Sequence, residues 1–383
     1  MENWQRGGFG LYVHWPFCAA KCPYCDFNSH VVPAVDEARW RTALLRDLAA
    51  WAERTPGRVL GSIFFGGGTP SLMAPETVAA LVAAARGYWI PANDLEVTLE
   101  ANPTSVEADR FAAFVAAGVN RFSVGLQALD DTDLRRLGRL HTAVEGRKAF
   151  DVARDLTERV SFDLIYARQD QTVAAWEAEL TKALDFAGEH LSLYQLTIED
   201  GTAFGVRHST GRLPGLPDEN RAVDLWAVTQ DATQDAGFIR YETSNHARTG
   251  AEARHNLIYW RGGDWVGIGP GAHGRLTLPE GRFATEALRM PQDWLQAADR
   301  PMATTRLDRL GGADAAEEYL LMSLRMVEGS DLRHFRSLGG SLNDQEALQL
   351  TTDGFLSFEQ DRLRTTEAGA LLLDTILARL VSG

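Results

Sequence analysis

Cys18, Cys22 and Cys25 are the only cysteines in the 383-residue chain, and they fall on one short stretch at C-x3-C-x2-C spacing. Three thiolates this close can grip a cubane iron–sulfur cluster and leave one of its irons without a protein ligand. That iron is then open to chelation by a small molecule carrying an amine and a carboxylate. A structural zinc site asks for a fourth ligand at matching spacing. His14 and His30 are near enough to make Cys3His zinc the plain alternative, although His14 lies in a strand-like run. An odd count and tight spacing disfavour a disulfide.

Further polar residues stand at the ends of apolar runs. Val59 to Phe65 reads as a buried strand and is followed by Gly66-Gly67-Gly68-Thr69-Pro70, where a ligand can approach the backbone closely. Leu95 to Leu99 runs into Glu100, Arg121 to Leu126 into Gln127, and Asp163 sits inside the strand-like SFDLIY. Glu100 and Asp163 can each accept hydrogen bonds, and a carboxylate buried in a strand requires a partner.

These residues need a scaffold, and the sequence describes one. Phe9 to Val13 reads as a strand feeding the cysteine loop. Asp36 caps a helix whose Trp40, Leu44, Leu48 and Trp51 recur every three or four residues. Pro75 opens the next helix, and Ser105 starts another closed by Gly118. Ser161 to Tyr166 and Leu191 to Ile198 are two more strands, around a helix bearing Val173, Trp176, Leu180 and Leu184. Six strands alternating with helices imply right-handed crossovers and a parallel sheet in an α/β fold, most naturally a curved, partial (β/α)6 barrel. The polar residues then gather at the C-terminal ends of the strands, where such barrels carry their sites.

The segments YVHWPFC and CPYCDFNSH closely resemble the cysteine loop of the radical S-adenosylmethionine (SAM) enzymes, in the group that holds oxygen-independent coproporphyrinogen III oxidase and the HemW-type haem chaperones. The resemblance implies a [4Fe-4S] cluster on Cys18, Cys22 and Cys25 whose free iron binds the methionine end of SAM. One cluster electron would cleave the sulfonium to a 5′-deoxyadenosyl radical. Matching family positions one by one implies SAM contacts from Tyr12, Gly67, Gly68, Thr69, Glu100, Gln127, Arg139 and Asp163, with Tyr24 beside the adenine. His14 is expected to shape the site by hydrogen bonding. The oxidase carries a fourth cysteine two positions after the third, where this chain has Phe27. It also has a longer segment before the cluster strand. Both departures favour a haem chaperone over coproporphyrinogen oxidase activity, the alternative, and leave enzymatic turnover an open question. After SFDLIY the chain reads Ala167-Arg168-Gln169-Asp170-Gln171 where relatives carry a glycine-rich turn.

A second constellation, His255-Asn256-Leu257-Ile258-Tyr259-Trp260, looks like the H-N-x-x-Y-W signature of the chaperones, which implies haem binding. A neutral imidazole suits haem iron, and Tyr259 is a second ligand or a hydrogen-bond partner. Trp260 and Trp265 could cover a macrocycle face. His246 competes with His255 as the ligand, and His273 is expected in the loop closing over the site. Pro301 and Gly311-Gly312 mark a linker. Ala313 to Val327, Ser330 to Leu338 and Asn343 to Leu350 read as helices, Gly354 to Thr365 as a hairpin around Gln360-Asp361, and Thr366 caps a final helix through Leu380. The expected division is residues 1–298 for the barrel, with a haem-motif extension from about 200, and 299–383 for a small winged-helix-like α+β domain.

A net charge of −14 argues against nucleic acid as a partner. The N-terminus has no apolar signal core and no run is long enough to cross a bilayer, so a cytoplasmic location is expected, where thiols stay reduced. The partners implied are haem, acceptor haemoproteins (membrane-bound ones included) and an electron donor for the cluster.

Overall fold

The computed structural model describes residues 3–104, 108–300 and 302–381. The expected helix start at Ser105 and the linker residue Pro301 lie outside them. Six strands run parallel in chain order: β1 (Phe9–Trp15), β2 (Val59–Gly67), β3 (Ile90–Ala101), β4 (Arg121–Gln127), β5 (Arg159–Tyr166) and β6 (His190–Gln195). Helices Glu37–Arg54, Pro75–Tyr88, Phe111–Ala116, Ala143–Leu156 and Val173–Leu184 connect them. This is the expected (β/α)6 arrangement.

The first of these helices shows how sequence sets packing. The Asp36 side chain accepts from the Arg39 N–H at 3.1 Å and so caps the N-terminus. Trp40, Leu44, Leu48 and Trp51 are all at most 4% exposed and pack on the outward face of the sheet. Burial of each such side chain contributes roughly 1.5–3 kcal/mol. The strands alternate: Leu11, Val13, Phe65, Leu99, Phe122 and Phe162 face the helices in one continuous core. Their neighbours Tyr12, His14, Glu100, Ser123 and Asp163 therefore face the barrel interior.

The sheet is larger than the sequence implied. Beyond β6 lie β8 (Asn245–Ala247) and β7 (Ile239–Arg240). Beyond β1 lie β9 (Asp264–Ile268), β10 (His273–Leu278), β11 (Gly281–Ala287) and β12 (Thr305–Arg309), making twelve strands in all. Only β9 among these additions is parallel to its barrel neighbour, pairing Phe9 with Asp264 and Leu11 with Val266. Asp264 is fully buried and clamps this edge: it accepts from Arg58 Nη1 at 2.7 Å, Arg282 Nη1 at 3.0 Å and the Thr277 N–H at 2.6 Å.

Several boundaries differ from the sequence reading. The strand expected over Leu191 to Ile198 ends at Gln195, where β5 also runs out at Tyr166 and the Leu196 N–H makes the last bond, to the Tyr166 carbonyl at 2.9 Å. The helix expected over Ala313 to Val327 spans Gly312–Ser323, and the apolar Leu324 and Met326 stay buried outside it. The expected Ser330 helix begins at Leu332, since Ser330 and Asp331 form the short β13 instead. Thr366 caps only Glu367–Ala370; after a break the chain resumes as the helix Leu373–Val381. The hairpin is as expected: β14 (Leu356–Glu359) and β15 (Arg362–Thr365) flank Gln360 at φ 55°.

The C-terminal part has its own core, including Leu320, Phe335, Leu350, Leu363 and Ile376, and a three-stranded sheet ordered β13-β15-β14. It meets the barrel through Arg6–Asp331, Arg261–Glu328 and Arg275–Glu318 ion pairs. No described helix is long and apolar enough to cross a membrane.

Candidate functional site

The parallel register brings the strand ends to one level. His14 pairs with Gly66 and Trp15 with Gly67 between β1 and β2, while Glu100 pairs with Ser123 and Asp163 with Ser192 further round. Above them opens a cavity of about 360 Å³ lined by all three cysteines together with Tyr24, Gly67, Gly68, Thr69, Glu100, Gln127, Arg139 and Asp163. The cysteine loop, three strand ends and a downstream arginine thus converge from positions more than a hundred residues apart.

The thiols are free and half-buried. Thr69 Oγ1 donates to Cys18 Sγ at 3.4 Å, and Arg139 Nη1 to Cys22 Sγ at 3.6 Å. Burial pushes the Cys18 and Cys25 thiols up, so an iron cation that draws them into thiolate form also relieves that penalty. Gly67 adopts φ +109°, and its N–H donates to Glu100 Oε2 at 3.3 Å. A Cβ on Gly68 would stand 2.7 Å from the Phe17 carbonyl oxygen and 2.9 Å from that of Trp15, both backbone atoms of the cysteine loop. Gly68→Ala is therefore expected to displace that loop: iron bound after anaerobic reconstitution should fall well below the wild-type amount, with circular dichroism unchanged.

Two carboxylates dominate the electrostatics. Burial, then the nearby Asp163 charge, raises Glu100 to about 8. Burial raises Asp163 to about 6 despite hydrogen bonds from Ser192 and Ser123. Such a pair favours a ligand with positive charge between them. Across the cavity Arg139 donates from Nη2 to Asn102 Oδ1 at 2.7 Å and to the Gly125 carbonyl at 2.9 Å. It lies in the loop after the helix Asp131–Arg136, and its side chain turns inward. Gln127 ends β4 with φ 68°, a left-handed conformation uncommon for a residue with a Cβ.

The cysteines, glycines, acids and arginine together fit a cluster with a small zwitterionic, cationic ligand beside it. Among the described residues no three His, Cys, Asp or Glu side chains are set to hold a single metal ion.

Other expected residues lie elsewhere. Tyr12 is two residues below His14 on the inward face of β1; it does not line the cavity, and its hydroxyl meets His14 Nδ1 at 3.0 Å. His14 Nε2 in turn reaches the Asn28 carbonyl at 2.9 Å, so the histidine shapes the loop as expected. The H-N-x-x-Y-W segment forms the helix Arg254–Trp260 and plugs the opposite end of the barrel. Its start is held by Glu96, which accepts from the Arg254 N–H at 3.0 Å and pairs with the buried Arg121.

His255 is 1% exposed, and both ring nitrogens are engaged: Nδ1 with Ser62 Oγ at 2.7 Å, Nε2 with the Tyr259 hydroxyl. Burial holds it neutral, pulling its pKa to about 3. The expected competitor, His246, is equally buried, with Nε2 3.4 Å from Gln230 Oε1. Gly10 makes the plug possible, since a Cβ there would stand 3.2 Å from His255 Nδ1.

Sequence reasoning missed two residues. Asn102 bridges the site by donating from Nδ2 to Thr69 Oγ1 at 3.0 Å while accepting from Arg139. Its one signal was its place two residues after Glu100. Asn28, in the tail of the cysteine loop, donates from Nδ2 to the Pro270 carbonyl at 3.0 Å and the Arg289 carbonyl at 2.8 Å. No local pattern marks it, because its partners lie more than two hundred residues away in the chain.

Residues 12–180 match the Radical SAM superfamily, and residues 310–372 match the HemN C-terminal domain. Radical S-adenosyl methionine domain-containing protein 1, mitochondrial, of Mus musculus is 40% identical over 97% of this chain and 87% of its own length. Heme chaperone HemW of Escherichia coli is 38% identical over 96% of both chains, and that of Mycobacterium tuberculosis 34% over 97% and 95%. Among solved structures, coproporphyrinogen III oxidase (HemN) of Escherichia coli superimposes with a TM-score of 0.81, covering 98% of this chain and 90% of that one. At 21% identity that likeness is one of fold. Near-full-length identity to the chaperones, on a radical SAM barrel with a HemN-type C-terminal domain, places the chain in the HemW-like branch of the radical SAM superfamily.

Proposed function

We propose that this protein is a haem chaperone that holds a [4Fe-4S] cluster on Cys18, Cys22 and Cys25, binds SAM in the cavity beside it, and delivers haem to haemoproteins. The observation that carries the cofactor half is the convergence of three free thiols, two acids and an arginine on one cavity. The haem half is supported by the heme chaperones HemW that are 34–38% identical to this chain.

When bound, the cluster and SAM supply one-electron chemistry. The chain's part is to bind and orient. Glu100 and Asp163 give negative charge for the ammonium and sulfonium, Arg139 gives a cation for the ligand carboxylate, and the Gly67–Thr69 backbone allows close approach. Gln127 and Tyr24 complete the lining, with Tyr24 at the adenine. Tyr12 contributes through His14 rather than by contact. The barrel sheet with its extension runs on through β12, past the expected boundary at 298, and the small domain follows it to 383. A thiol-ligated cluster suits a reducing compartment such as the cytoplasm, with an electron donor there and acceptors reached from it.

Phe27 is 59% exposed at the position where the related oxidase carries a further cysteine. The test is anaerobic reconstitution followed by haem titration with and without SAM, with a coproporphyrinogen turnover assay alongside. Saturable haem binding and transfer to an apo-haemoprotein, without protoporphyrinogen formation, is the expected result. Product formation without haem binding would replace this reading with the oxidase one.

A further inference from the structure

The chain has nine histidines, and a haem ligand must be reachable. His14, His141, His190, His246, His255 and His334 are each at most 5% exposed. Only His30, His208 and His273 present imidazole at the surface.

His30 differs from the other two in being oriented. Asn28 Nδ2 faces two backbone carbonyls, which only a donor satisfies, so Asn28 Oδ1 is an acceptor. His30 Nε2 lies 3.1 Å from that oxygen and must carry the ring proton. Nδ1 is left with its lone pair. A ring N–H anchored on an amide oxygen, with the other nitrogen free, is the arrangement that prepares histidine for a metal.

The surroundings suit one occupant. Phe27 is 59% exposed and Val31 55%, on either side of the Asn28–His30 turn. Leu288 at 42% and Met290 at 54% flank Arg289, whose carbonyl Asn28 grips. Isolated exposed apolar residues are ordinary, but Phe27 and Val31 adjoin Asn28 and His30 in the chain, and Leu288 and Met290 adjoin the Arg289 that Asn28 holds, so the four gather round one anchor. Lys21, whose Nζ reaches the Phe27 and Ser29 carbonyls at 3.3 and 3.2 Å, and the exposed Arg289 supply positive charge at its border in an otherwise acidic chain. An apolar disc with carboxylates on its edge and an iron at its centre matches this surface in each respect.

We propose that haem docks on this outer rim beside the cysteine loop, with His30 Nδ1 as an axial ligand and Lys21 and Arg289 meeting the propionates. The site shares Phe27 and Lys21 with the mouth of the SAM cavity, while His30, Val31, Leu288, Arg289 and Met290 lie outside that cavity, and it is away from the buried His255. It rests on the haem-chaperone reading.

The test uses the full chain with its cluster reconstituted, titrated anaerobically with ferric haem and followed by the Soret band and by electron paramagnetic resonance. His30→Ala should remove the histidine-ligation signature and weaken binding by about tenfold or more. Lys21→Glu combined with Arg289→Glu should weaken binding while keeping that signature. His208→Ala should leave both unchanged. If the wild-type protein binds no haem, the chaperone reading falls, and this site with it. If the wild type binds haem and His30→Ala binds it with the same signature, only the site is overturned. Transfer of the loss to His273→Ala or His208→Ala would overturn it equally.

Discussion

Glu100→Gln is expected to make the ligand-free protein harder to melt at pH 8.5 while almost abolishing SAM binding. The empty cavity holds Glu100 at about 8, far above the usual carboxylate range, because burial and the Asp163 charge both oppose its ionisation. Between the unfolded pKa of about 4.5 and the folded value near 8, the native protein binds more protons than the unfolded chain. Stability conferred by the neutral carboxyl is therefore full below about 4.5 and declines as pH rises through that window. A neutral glutamine removes the decline, so the variant's melting temperature should exceed the wild type's by several degrees above pH 8 and converge with it in acid. Ligand binding has the opposite sign. A cationic guest draws Glu100 into its ionised form, so wild-type affinity should rise between about pH 6 and pH 8 and level off beyond. In the variant that rise should vanish and affinity fall by roughly 100-fold, equivalent to about 3 kcal/mol. Scanning calorimetry and anaerobic titration calorimetry across this range check both halves. An unaltered affinity would remove Glu100 from the site.

Asp264→Ala should be the most damaging single change to the fold. Asp264 is fully buried between two guanidiniums, those of Arg58 and Arg282, with side chains 5% and 10% exposed. It also accepts from the Thr277 N–H and hydroxyl, so one carboxylate fastens β9 to β10 and to the residue that leads into β2. Removing it strands two cations in a dry environment, where breaking a buried pair costs about 3–5 kcal/mol. Urea unfolding should show a loss of that order. A loss under about 1 kcal/mol would mean that water reaches these arginines.

The parts of the site that could be read from the sequence are those fixed by neighbours along the chain. The cysteine spacing, the glycine triplet after an apolar run, and Glu100 and Gln127 at strand ends are local signals, and the parallel topology turned them into one cavity. Arg139 was legible only by resemblance, because nothing in RLGRLH says the side chain turns inward to Cys22 and Asn102. Asn28, Asn102 and the Glu96–Arg121 pair were not legible, since their roles depend on register between strands far apart in sequence. The H-N-x-x-Y-W segment was noticed for its residue types. Its place as a buried plug depends on Gly10 and Ser62, which belong to other strands. Of the added strands, β7, β8 and β12 are short or carry few apolar residues, so alternation had little to register.

The helix Arg254–Trp260 fills the barrel's far end, and the cavity that gathers the cysteines, acids and arginine lies at the other. On the proposed function, SAM, incoming electrons and any cargo resting on the rim would all meet at the cysteine side. A docked recipient broad enough to lift cargo from that threshold would shut the nucleoside inside until it departs. On the proposed function, recipient and nucleoside would take turns, and the order of arrivals would be set by which visitor blocks the next.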